Sequence, residues 1–83
     1  MTDMQWRAED FDAQLDACGL NCPLPLLKAK LALNRLVSGQ VLMVEATDAG
    51  SQRDFRAFAS LAGHGLLREE VDGGVYRYWL RKA

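Results

Sequence analysis

The chain has 83 residues, 49% of them hydrophobic and 25% charged, with a formal net charge of -1. That is the make-up of one globular domain with a modest core. The slightly acidic balance argues against a nucleic-acid binder driven by phosphate neutralisation, and no apolar run approaches the about 20 residues of a membrane span.

Residues 1–10 are mostly polar, with Met4 and Trp6 isolated among them, and read as a loose arm ahead of a domain at 11–83. They hold no basic start followed by an apolar stretch, so a secretory signal is not expected. The expected location is the cytoplasm. Thiols stay reduced there, so Cys18 and Cys22 are expected to be free, catalytic or metal-binding rather than a structural disulfide. Next, Phe11, Ala13, Leu15 and Ala17 alternate with Asp12, Gln14 and Asp16. This period of two predicts a strand with one buried face. Gly19 and Asn21 end it. From Pro23 to Val37 the apolar residues Leu26, Ala29, Leu33, Leu36 and Val37 recur at helical spacing, and Ser38-Gly39 is a stop signal.

The run Val41-Leu42-Met43-Val44, continued by Glu45-Ala46-Thr47, predicts a central strand. Ser51 with Asp54 three residues on resembles a capping box for a second helix. Phe55, Phe58, Ala59 and Ala62 form its apolar stripe, and Gly63 suits the left-handed position at its end. Leu66 to Val71 reads as a third strand, weakened by Arg68-Glu69-Glu70. Asp72-Gly73-Gly74 predicts a hairpin turn, and Val75 to Arg81 an aromatic and β-branched fourth strand. The order β-α-β-α-β-β implies an α/β (α+β) two-layer sandwich, a four-stranded mixed sheet with two helices on one face.

Cys22 stands directly before Pro23-Leu24-Pro25. If Cys22 is the N-cap, Pro23 and Pro25 occupy N1 and N3, where a missing N–H costs the helix nothing. Cysteine is a poor cap, and Pro25 removes one of the two usual capping donors. Local rules are broken in this way at functional sites. A helix N-terminus favours an anion, so the Cys22 thiol is expected to have a lowered pKa, to be reactive and to be exposed. The competing reading is a small buried hydrophobe.

The segment Leu15-Asp16-Ala17-Cys18-Gly19-Leu20-Asn21-Cys22-Pro23-Leu24-Pro25 resembles the Cys-Pro-x-Pro signature of the TusA/SirA family of small sulfur carriers. The likeness continues at Thr47-Asp48, Arg53-Asp54-Phe55, Gly63-His64 and Tyr76-Arg77-Tyr78-Trp79-Leu80-Arg81-Lys82. The resemblance implies the same two-layer sandwich. It also implies that Cys22 takes sulfane sulfur as a persulfide, with Gly19, Pro23 and Pro25 as motif support. The donor would be a cysteine desulfurase or a rhodanese-type enzyme. The acceptor would be a protein of tRNA thiolation, cofactor synthesis or sulfur oxidation. Ala49, where the family often has Pro after Asp, and Cys18, at a variable position, depart from the pattern.

Cys18, four residues before Cys22, is a candidate second thiol or a strand-end residue packed near the core. The two cysteines and His64 are too few for a four-ligand structural zinc site; no metal and no cofactor are expected. His64 reads as a solvated residue after the helix end. Leu24, Leu27 and Leu31 form a second apolar ridge, either docking a partner or packing beneath the arm against Trp6. Lys28, Arg35 and Arg53 could form a basic rim near the thiol that steers an acidic partner. Tyr76, Tyr78 and Leu80 alternating with Arg77, Trp79 and Arg81 could stack bases, but core packing fits the composition better. The protein is thus expected to be a monomeric relay between protein partners, without direct nucleic-acid or membrane contact. The alternatives are a redox-sensing regulator or adaptor, and a dithiol redox protein using Cys18 and Cys22.

Overall fold

The structure, a computed structural model, describes residues 11–83. The expected arm at 1–10, with Trp6, lies outside the described residues. The elements are β1 (Ala13–Ala17), α1 (Leu24–Asn34), β2 (Val41–Ala46), α2 (Ser51–Ala62), β3 (Gly65–Asp72) and β4 (Val75–Arg81). The sheet order is β1-β2-β4-β3. β1 runs parallel to β2, and both contacts of β4 are antiparallel. This is the mixed sheet that the periodicity implies.

Both helices lie on one face. Ala17, Leu42, Val44, Tyr78 and Leu80 of the sheet meet Ala29, Leu33, Phe55 and Ala59 of the helices in one core. The alternation in β1 holds: Leu15 and Ala17 point inward while Gln14 and Asp16 face out. On the other face Met43 pairs with Trp79, at 6% and 1% exposure, and Glu45 accepts from Arg77 Nε at 2.8 Å.

Local chemistry explains the turns. Gly73 and Gly74 both have positive φ (57° and 84°), as a tight hairpin needs. Gly63 closes α2 at φ 77°. β3 is one residue longer at each end than expected, with a register shift between Leu66 and Arg68. The shift leaves Leu67 exposed and sends Arg68 to the outer face over the Trp79 ring, while Glu69 pairs with Arg56 at 3.0 Å. The charged run therefore fits a strand without burying a lone charge.

α1 departs from expectation at both ends. It stops at Asn34, not Val37, and Val37 is 66% exposed. Gln40 Oε1 takes the Val37 N–H at 2.9 Å, and Lys82 Nζ caps the Leu33 carbonyl at 2.8 Å. At the start, the first intrahelical bond runs from Leu27 N–H to the Pro23 carbonyl, at 3.1 Å. Pro23 is therefore the N-cap and Pro25 the buried second residue. Cys22 sits one position before the cap.

The capping box is also absent. Gly50 is the N-cap of α2, and Ser51 is buried inside the first turn. Ser51 Oγ and Tyr78 Oη lie 2.6 Å apart. Burial pushes the Tyr78 phenol up, so it stays neutral, while the Ser51 bond pulls it the other way. Ser51→Ala leaves a buried phenol without its partner and is expected to cost about 1–3 kcal/mol. Tyr78→Phe should cost a similar amount, and the double variant less than the sum, in urea melts of the four proteins. Additive costs would show that the pair does not act as a unit.

Candidate functional site

The thiol of Cys22 is exposed at the end of the turn between β1 and α1. The turn is held by backbone chemistry. Gly19 adopts φ +82° and its N–H donates to Thr47 Oγ1 at 2.8 Å, tying this turn to the end of β2. Leu20 N–H reaches back to the Ala17 carbonyl at 3.3 Å. A side chain at residue 19 would meet open space. The need for glycine is therefore conformational and not one of room. Pro25, buried, and Pro23, at the cap, stiffen the first turn of α1.

Cys22 Sγ donates to Asp54 Oδ2 across 2.8 Å. Asp54 lies in the first turn of α2, the usual place for an acidic side chain. Its other oxygen, Oδ1, is 3.7 Å from Arg53 Nε, and the Arg53 side chain is 82% exposed. The bond from the thiol to Asp54 is the main cause that raises the Cys22 pKa. Partial desolvation and the charges of Asp54 and Asp48 add to it, and Arg53 opposes them.

This corrects the expectation of a helix-stabilised thiolate. The first turn of α1 has few donors to offer an anion. Leu24 N–H is spent on the Asn21 carbonyl at 2.9 Å, and residue 25 is proline. The nearest strong electrostatic partner is a carboxylate. Thr47 and Asp48, not read from the sequence as site residues, also act here, and Asp54 was read as part of a cap. The signal was the Arg53-Asp54-Phe55 match, which competed with a cap-like spacing.

Cys18 is also exposed and free, but its surroundings differ. Its backbone N–H donates to Asp16 Oδ1 at 3.0 Å. Its thiol is pushed up first by desolvation, then by its bond to Asp16 and the Asp16 and Glu45 charges, with Arg77 opposing. Those groups belong to β1 and the outer face of the sheet. The groups that act on Cys22 lie at the start of α2.

The expected basic rim is divided. Arg53 stands beside Asp54, whereas Lys28 and Arg35 border a shallow groove of about 200 Å³ with Leu15, Leu31 and Ala32 along β1. Leu24, Leu27 and Leu31 are exposed at 46%, 46% and 65%. A larger groove of about 400 Å³ runs between the helices, lined by Leu26, Lys30, Phe58 and Leu61 and reaching Asp54. Lys30 Nζ lies 5.6 Å from the centre of the Phe58 ring, and Leu61 is 88% exposed. His64 is not simply solvated: Nδ1 accepts from Ala83 N–H at 3.0 Å, and the ring tilts against Phe58. Tyr78 and Trp79 are 1% exposed, so neither offers a ring face for a base. Among the described residues, no helix is long and apolar enough to cross a membrane.

Known proteins resemble this chain in sequence and in fold. The model of the family described as Sulfurtransferase TusA matches residues 13–82. A sulfur carrier protein TusA of Allochromatium vinosum is 53% identical over 74 residues, covering 89% of this chain and 97% of the relative. A putative sulfur carrier protein, YrkI, of Bacillus subtilis is 44% identical over 71 residues, covering 86% and 95%. The crystal structure of a SirA-like protein from Desulfitobacterium hafniense superposes with a TM-score of 0.75 at 29% identity, covering 84% of this chain and 96% of that one. With the fold and a match over residues 13–82 in agreement, the chain belongs to the TusA sulfurtransferase family.

Proposed function

We infer that the protein is a sulfur carrier that takes sulfane sulfur onto Cys22 as a persulfide and hands it to an acceptor protein. The observation that carries this reading is the exposed Cys22 thiol, set on a turn fixed by Gly19, Pro23 and Pro25. Relatives that bear the name sulfur carrier protein support it along nearly the whole described chain. A thiol at a protruding turn suits a relay. Both the donor's sulfur and the acceptor's must reach the same atom in turn, and an enclosed pocket would hinder the second exchange. The donor would be a cysteine desulfurase or a rhodanese-type enzyme, and the acceptor a protein thiol of tRNA thiolation, cofactor synthesis or sulfur oxidation. The place of action would be the cytoplasm, where two free thiols persist.

The test is a relay assay. The protein is incubated with a cysteine desulfurase and sulfur-labelled cysteine, and separated from the donor. Label that stays with the protein and is released by dithiothreitol supports the reading. If neither a desulfurase nor a rhodanese donor leaves label on the protein, the carrier reading fails.

The groove between the helices supplies an apolar surface beside the thiol, of the kind that partners cover. Leu61 contributes nothing to the core at 88% exposure. Leu61→Asp is therefore expected to slow loading from a protein donor several-fold. Its melting temperature and its rate of alkylation by iodoacetamide should stay those of the parent. Unchanged loading would place docking elsewhere, and the exposed ridge of Leu24 and Leu31 with Lys28, Arg35 and Arg53 would be the next surface to vary.

A further inference from the structure

Cys22 and Asp54 meet across 32 positions of sequence, thiol to carboxylate, at 2.8 Å. The carboxylate is held from both sides of its own helix turn. Ser51 anchors the start of α2 to Tyr78 at 2.6 Å. Phe55, the next residue, is fully buried and stacks on the Tyr78 ring at 4.5 Å between centroids. Three charged groups act on the thiol: Asp54 in contact, Asp48 nearby, and Arg53, whose side chain extends into solvent. The balance is negative. The start of α1 does little to offset it, because Leu24 N–H is already bonded to the Asn21 carbonyl and residue 25 has none to give.

We propose that Asp54 is a catalytic residue that keeps the proton on Cys22 Sγ in the unloaded carrier and receives that proton when sulfur is taken up. Only the thiolate reacts readily with oxidants and alkylating agents, so the held proton shields an exposed sulfur that must wait for its donor. The uptake step rests on the carrier reading. In it, Cys22 sulfur attacks the outer sulfur of a donor persulfide, R–S–SH. The donor's S–S bond breaks and a new S–S bond forms on Cys22. The Cys22 proton passes to Asp54, and the leaving sulfur takes one proton from solvent. The products are R–SH and Cys22–S–SH, with Asp54 returning its proton to solvent and no net oxidation.

The proton-holding role is tested without any sulfur donor, in a Cys18→Ser background that leaves one thiol. The rate of alkylation by iodoacetamide is followed by mass from neutral to alkaline pH. Asp54→Asn should react several-fold faster at neutral pH, with its midpoint moved to lower pH. Asp54→Glu keeps a charge within reach of the sulfur and should stay near the parent. Asp48→Asn removes the same charge without touching the thiol and should shift the profile far less. The proposal is overturned if Asp54→Asn superposes on the parent, if Asp48→Asn matches it, or if the Asn and Glu variants shift equally. Thermal melts of each variant show that the fold is kept. A shifted alkylation profile in a protein that never loads sulfur would sink the carrier reading and leave the proton-holding role standing.

Discussion

Cys22→Ser is expected to abolish sulfur loading while melting within about 4 °C of the parent. The side chain is exposed and packs in no core, and serine can still donate to Asp54. Substitutions at such surface positions usually stay within about 0.5 kcal/mol. The loss of function should nonetheless be complete, because no hydroxyl forms a persulfide. Cys18→Ser is the informative companion. Its sulfur belongs to a different electrostatic neighbourhood, beside Asp16 and Glu45, so loading should survive in it. Loading in the Cys22→Ser protein would move the carrier role to the other thiol. Loss in both variants would favour the dithiol reading.

Phe55→Ala should have the largest effect on stability. Phe55 is fully buried and joins α2 to β4 through its stack on Tyr78. Truncating a buried phenylalanine costs about 3–5 kcal/mol. A domain of this size has on the order of 4–12 kcal/mol in total, at about 0.05–0.15 per residue. The expected result is a melting point lower by about 12 °C or more, or no cooperative transition at all. The damage would reach the site as well, since Asp54 is the preceding residue on the same helix turn. A drop of less than about 5 °C would mean that the core does not depend on this contact.

These two residues show where the sequence was legible. Phe55 announced itself through helical spacing, as the strand at 13–17 did through strict alternation and the hairpin through Asp72-Gly73-Gly74. Such signals are local, and the order of elements follows from them. The placement of Cys22 ahead of a proline-rich helix start was local too. The chemistry around it was not. The contact that dominates the thiol spans 32 positions, and no periodicity records which carboxylate meets which sulfur. Ser51 and Asp54 have the spacing of a capping box, yet one turns inward to Tyr78 and the other turns to Cys22. The helix dipole argument failed for a related reason. It assumed a full set of open N–H groups at the start of α1, and the fold had already used that of Leu24 and put a proline at residue 25. Val37 misled through its apolar character, because the bonds made by Gln40 and Lys82 end the helix before it.

The most direct measurement is the intact mass of the protein after incubation with a cysteine desulfurase and cysteine, followed by peptide mapping without reductant. The account predicts one added sulfur, lost on reduction and located on the peptide that carries Cys22. An added sulfur that maps to Cys18 alone, or no addition from either a desulfurase or a rhodanese donor, would contradict it.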